Sequence, residues 1–336
     1  TGTLTPGTEI LAINGVPART ILARLLPYVR ADGHNDAKRI ALLSMTGNDS
    51  IETFDVFHGL VYGAPADGMH RLAVRQPGKA AATVSVPVIS LADRQGKLAP
   101  QPETNGPVWT WQRRDDGVAV LTMPGWGLYD SKWDWRAWLA DRLDSLAGAR
   151  GLVIDLRENE GGLDCGDPIL ARLIDAPLAP PGYVQKLRFE RTPAAIDRYL
   201  DTWDDSFRTL GVGGKRLDGG FVERPGGNAD LTIAPSGKPL RLPVAALIGA
   251  TNSSATFQFA TMARASGKVR LFGATTGGNR RGINGGCFFF VRLPASGLEF
   301  DLPLVGYFAT TPQPDAGLDP DVRVTSDAAD IAAGFD

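Results

Sequence analysis

Apolar residues recur along this chain in two rhythms, and the changes of rhythm mark the elements. Residues 9–17, EILAINGVP, are a short apolar run closed by Asn-Gly, which predicts a short strand and its turn. Ile21, Leu22, Leu25, Leu26 and Val29 follow at helical spacing. Residues 37–63 predict two further helical pieces with an Asn-Asp-Ser break between them, and HRLAVRQPG and ATVSVPVISL predict paired strands. Residues 92–107 are polar, rich in Pro and Gly and without a period, the pattern of a linker.

Beyond that stretch the order strand, loop, helix repeats. GVAVLTM predicts a strand, and SKWDWRAWLADRLDSL a helix with Trp135, Trp138, Leu139, Leu143 and Leu146 on one face. GLVIDLR, residues 151–157, is an apolar run of the buried parallel kind. DPILARLID then predicts a helix with Pro168 in its first turn. Residues 176–242 show turn residues and little pattern beyond one helix at AAIDRYLDTWDDSF. PVAALIG, TFQFATMARASG and KVRLFGA repeat the strand–helix–strand order, and CFFFVRLPASGLEFDLPLVGYF reads as a hairpin. The closing SDAADIAAGFD predicts a two-turn helix capped by Ser326. Both ends read as cut from something longer, with a processed mature chain as the alternative. Strands alternating with helices in this way argue an α/β core.

Composition narrows the function classes. A length of 336 residues suits one large or two ordinary domains. Apolar content of 43% with 21% charged residues describes a globular chain and excludes a disordered one. A net charge of −2, with no block of lysines and arginines, offers no field for nucleic acid or anionic lipid. No apolar run approaches the ~18 residues of a membrane span. Cys165 and Cys287 form neither a metal spacing nor a CxxC pair, and two free thiols is the preferred reading.

Two loops carry candidate chemistry. In open α/β sheets, functional groups gather beyond the carboxyl ends of strands, where helix N-termini point. The run VIDLRENEGG ends one strand in Gly161 and Gly162, and ALIGATNSS ends another in Ser253 and Ser254. If those strands are neighbours, amides freed by the glycines face a serine hydroxyl at a helix N-terminus. That pairs an oxyanion hole with a nucleophile. Glycine suits the loop because the amides must approach a carbonyl with no side chain between. Taken alone, each piece has a plainer reading, an N-cap for the serines and a turn for the glycines.

Four segments in order, GLVIDLRENEGG, ALIGATNSSATFQFA, VRLFGATTGGNRRG and LPASGLEFDLP followed by GLDPDV, resemble the C-terminal processing peptidase and tricorn-like serine peptidases. The family's glycine loop, of the type DLRGNGGG, matches Asp155 to Gly162. Its serine segment matches Ser254-Ala255-Thr256-Phe257, and its closing G-x-x-PD matches Gly317 to Asp321. The stretch GTEILAINGVPA is similar to the middle of the family's PDZ-like module. The resemblance covers most of the chain apart from roughly residues 30–80 and 176–240. It implies an α/β fold with a ClpP/crotonase-like β-spiral core and an N-terminal, truncated PDZ-like domain. The implied division is residues 1–95 for the PDZ-like domain with a helical insertion, 96–107 for the linker and 108–336 for the peptidase core.

Carried over by residue, the resemblance makes Ser254 the nucleophile, with the amides of Ala255 and of Gly161 or Gly162 as the oxyanion hole. Ser253 remains a cap or spacer. It implies a polypeptide substrate, neither metal nor cofactor, and a periplasmic or secreted location. The chain also departs from the pattern. The activating lysine of processing peptidases falls at Asn279, and an amide is no base; Arg280 and Arg281 beside it stay protonated. The histidine of tricorn-like members falls at Thr122, and the glutamate that ends the serine motif falls at Phe257. The three histidines each have an ordinary reading: His34 in a polar loop, His58 on a mixed helix, His70 near a strand edge. A third branch, that of the chlamydial protease-like activity factor, carries its histidine ahead of the PDZ-like module, which here precedes residue 1. A base on sequence outside these residues is therefore expected, with Asp315 the nearest candidate for an acidic member. The alternative is a binding protein on the same fold, of which interphotoreceptor retinoid-binding protein is a relative. Esterase activity is a weaker third reading, since no G-x-S-x-G elbow surrounds Ser254.

Overall fold

Four short apolar runs, Val118–Thr122, Gly151–Asp155, Val244–Ile248 and Val269–Gly273, become parallel neighbours in one sheet. Each is too apolar to face water. Leu121, Ile154, Ala246 and Leu271 are fully buried, and burying a side chain of Leu size contributes about 1.5–3 kcal/mol. Thr110–Arg113 adds an antiparallel edge beside Val118–Thr122. The helices Trp135–Asp144 and Ser254–Ser266 bury Leu139, Leu143, Phe259 and Met262 in the same core. Trp109 lies edge-on to Trp133, Trp135 and Trp138. The stripe read on the first of these helices holds: Trp135, Leu139, Leu143 and Leu146 are buried, and Trp138 packs against the core.

This computed structural model describes residues 4–45, 47, 49–98, 106–180, 182–227 and 231–334. The chain divides into two units, one of residues 32–35 and 105–321, the other of residues 1–31, 36–104 and 322–336. Of the linker expected at 96–107, residues 99–105 lie outside the described residues. Just ahead of it, in part of the polar stretch read as structureless, Leu91–Gln95 is a helical turn set by a capping box between Ser90 and Asp93.

The first unit also holds a second, antiparallel sheet, which the sequence pattern largely hides. Its order runs Arg216–Leu217, Phe221–Glu223, Tyr183–Leu187, Glu299–Ala309, Asn284–Arg292 and Leu200–Asp201. The hairpin expected from residue 287 onward is present as its two long strands. Residues 176–242 are thus not merely irregular; they supply four of the strands. The helix expected at 194–207 shrinks to Ala194–Asp197, because Leu200 and Asp201 pair with Val291 and Phe290 instead.

The other unit has a four-stranded antiparallel sheet, ordered Val16–Pro17, Glu9–Ile13, Met69–Arg75, Ala82–Pro87. Asn14 and Gly15, with φ of 51° and 81°, make the expected two-residue turn. Helices Ala18–Leu25, Asp36–Leu43 and Thr53–Tyr62 enclose Ile21, Leu25 and Leu43. The C-terminal helix Ala328–Ala332 is capped by Asp327 in a capping box with Asp330, not by Ser326. A carboxylate reaches both the N2 and N3 amides, which leaves the preceding serine outside the cap. No helix among the described residues is long and apolar enough to cross a membrane.

Candidate active site

The pairing of Val244–Ile248 with Gly151–Asp155 brings the two loops that follow these strands to the same end of the sheet. Five side chains then tie the loops together. Thr251 Oγ1 donates to the Arg157 carbonyl at 2.6 Å. Asn252 Nδ2 donates to the carbonyls of Leu156 and Asn159 at 2.5 and 2.8 Å. Ser253 Oγ donates to the Glu160 carbonyl at 3.1 Å. From the other side, the Thr256 hydroxyl and the Gly161 amide both donate to Asn159 Oδ1, at 2.7 and 2.9 Å. Asn159, Asn252 and Thr256 are fully buried, so the bonds their side chains make satisfy polar groups that water cannot reach. This network escaped the sequence reading. Its only signal was the choice of Asn in ENEGG and of Thr after Ser-Ala.

Ser253 sits at the N-cap position of helix Ser254–Ser266 with no side-chain capping bond. Its hydroxyl serves the glycine loop instead. Ser254 follows with φ of 48°, one of two positive values at non-glycine residues among those described, the other being Asn14 in its turn. A left-handed serine at the start of a helix is strained, and such strain persists only where the surroundings impose it. Its side chain is exposed, and among the described residues its hydroxyl has no hydrogen-bond partner.

Ser254, Ala255 and Gly162 line one cavity of about 170 Å³, together with Asp164, Asn279 and Tyr307. A Cβ added at Gly161 lies 2.9 Å from Ser254 Cβ, so the glycine loop touches the serine itself. The Gly161 amide is taken by Asn159, and its carbonyl accepts from Trp126 N–H at 3.1 Å. The amides of Gly162 and Ala255 have no partner among the described residues. Two unpaired N–H groups and a serine hydroxyl on one cavity can hold a carbonyl oxygen as it gains negative charge.

The remaining sequence-selected residues fall as follows. Asn279 lines the cavity but its amide is fully used. Nδ2 donates to the Asp32 carbonyl and to Asp315 Oδ1, and Oδ1 accepts from Arg281 N–H. Asp315 also accepts from the His34 backbone at 3.0 Å, pairs with His34 Nδ1 at 2.7 Å and meets Arg281 Nη1 at 2.9 Å. The His34 backbone and side chain, Asn279 and Arg281 hold this carboxyl far below the ordinary range. His34 and Asp315, weighed separately in the sequence, are therefore partners; His34 lies outside the cavity lining, with its side chain 84% exposed. His58 and His70 belong to the other unit, where their rings are 5.8 Å apart. Burial, then the neighbouring His70, lowers the pKa of His58. Thr122 ends its strand half-buried, and Phe257 packs its ring against Gly278.

Cys165 and Cys287 are both free and buried. Among the described residues no group of histidine, cysteine and carboxylate side chains could hold a metal ion.

The family description Peptidase family S41 matches residues 117–323, which include both loops. Among solved structures the chain is similar to mature CPAF, with a TM-score of 0.58 at 18% identity over 100% of this chain and 75% of that one. It is also similar to mature CPAF complexed with lactacystin, with a TM-score of 0.55 at 17% identity over 99% and 77% of the two chains. These identities speak for the fold. No curated protein matches the chain in sequence.

Proposed function

The chain belongs to peptidase family S41, and on that premise we propose that it is a serine endopeptidase acting on polypeptides through an acyl-enzyme on Ser254. The observation that carries this reading is the shared cavity. An exposed, backbone-strained serine and the unpaired amides of Gly162 and Ala255 line it together. In the proposed reaction the Ser254 oxygen attacks the scissile carbonyl and its proton passes to a general base. The carbonyl oxygen becomes an oxyanion held by the two amides, and the tetrahedral adduct collapses to the acyl-enzyme with loss of the amine.

We assign the general base to a group outside residues 1–336. Among the described residues the cavity lining holds neither lysine nor histidine, and Asn279 can only donate or accept hydrogen bonds. The ClpP/crotonase-like description of the sheet pair and the PDZ-like description of the first 95 residues are part of the same proposal, as are tail-specific substrate capture and a periplasmic or secreted location. The family match does not favour the binding-protein alternative.

Fluorophosphonate labelling of the full-length protein tests the assignment, because only an activated serine reacts. The adduct is expected on Ser254, and Ser254→Ala is expected to abolish both adduct and peptide cleavage. A folded, unlabelled protein, or labelling that survives Ser254→Ala, overturns it.

A further inference from the structure

Asp164 is the one formally charged side chain among the residues lining the Ser254 cavity. It lies two residues beyond Gly162, so the loop that presents the amides also presents the carboxylate. The rest of the wall is apolar or neutral, with Tyr183, Tyr307, Phe257 and Ile283 offering flat hydrocarbon surface. Among the described residues no hydrogen bond or ion pair reaches the Asp164 carboxyl. Partial desolvation pushes its pKa up, although the residue keeps an exposed face. Its neighbour Asp167 is pushed up to about 7, by burial first and by Asp164 second.

A carboxylate without a partner among the described residues, on a wall that also carries Tyr183, Tyr307 and Phe257, is favourable for a ligand that brings the missing charge. A long basic side chain has that shape: a hydrocarbon stem to lie along aromatic walls and a cationic head to meet the carboxylate. We infer that Asp164 makes this cavity a subsite for a lysine or arginine side chain of the polypeptide substrate, beside the bond that Ser254 attacks. The inference rests on the peptidase reading of the site. It selects among substrates, since a wall that presents a carboxylate to the substrate's cation disfavours an isostere that lacks the charge.

Binding decides it without turnover. The full-length protein carrying Ser254→Ala is titrated, by fluorescence polarisation, with alanine-serine hexapeptides that place lysine, norleucine or glutamate at each position in turn. At one position lysine is expected to bind at least tenfold more tightly than norleucine, with glutamate weakest. Adding Asp164→Asn is expected to bring lysine and norleucine within twofold, and Asp164→Glu to keep the preference. Equal affinity for lysine and norleucine at every position, or a preference that survives Asp164→Asn, overturns the inference. Should Asp164→Asn fail to fold, the lysine, norleucine and glutamate comparison on the parent protein decides alone. Fluorophosphonate labelling of the unmutated Ser254 is read separately. Its failure removes the peptidase reading, whereas intact labelling without a lysine preference removes only the subsite.

Discussion

Gly161 has a φ of 126°, and a Cβ built on it lies 2.9 Å from Ser254 Cβ and 3.0 Å from the Ser253 carbonyl oxygen. Alanine there meets both a forbidden backbone region and a serine that is already strained. Gly161→Ala is therefore expected to cost roughly 1–3 kcal/mol of stability. It is also expected to remove most fluorophosphonate reactivity from Ser254. Thermal denaturation and adduct mass spectrometry check the two effects in one preparation, and full labelling in the alanine variant would show that the loop tolerates the shift. Residues of this kind were legible: glycine after a strand and serine before a helix are visible in the string of letters. Asn159 and Asn252 were not, because a buried amide and a solvated loop amide are the same letter. Asp164 was passed over for the same reason, as one more polar residue in ENEGGLDCG.

Among elements, the helix Asp167–Leu173 opens on a carboxylate, and two forces act on it. The positive end of a helix favours the anion; burial and Asp164 oppose it and win, taking the pKa from 3.8 to about 7. Between those two values the folded state binds a proton that the unfolded state has released, so stability falls as pH rises through that window. Asp167→Asn is expected to flatten this part of the profile, a difference of about 1–2 kcal/mol near neutrality once solvent screening is allowed for. Melting temperatures of both proteins between pH 4 and 7.5 test it, and parallel curves would contradict it. Elements whose signal is local were read correctly from sequence: the two parallel strands at 151 and 244, their helices, and the hairpin. Those that depend on distant partners were not. Tyr183–Leu187 is a strand because Glu299–Ala309 lies beside it, and two-residue strands such as Arg216–Leu217 are shorter than any period. The misplaced helix cap at Ser326 shows the same limit at a boundary, where a one-residue choice between Ser and Asp is made by geometry.

For the molecule as a whole, the sequence reading of two unbridged thiols holds. Burial pushes the Cys165 thiol up to about 12 and raises that of Cys287. Both are thus un-ionised and enclosed, and neither is a nucleophile at neutral pH. Dithiothreitol is expected to leave the melting temperature unchanged, and iodoacetamide to modify neither residue until the protein is unfolded. Rapid native alkylation at either position would contradict the buried placement. The wider frame follows a similar division. An α/β architecture could be read from the alternation of patterns, whereas the grouping of residues 32–35 with the later part of the chain could not. That four-residue segment is held by Asp315 and Asn279, and nothing in its letters announces partners more than 240 positions away.

The helix that begins at Ser254 rests on residues that have no side chain. The Phe257 ring lies against Gly278, the Phe259 ring against Gly166, and Ser254 against Gly161. Drift at any of these three seats, even to a single methyl, lifts the whole rod and swings the hydroxyl at its tip. Variants that silence the protein should accordingly include changes at places that bear no reactive atom, and a screen confined to polar positions will overlook them.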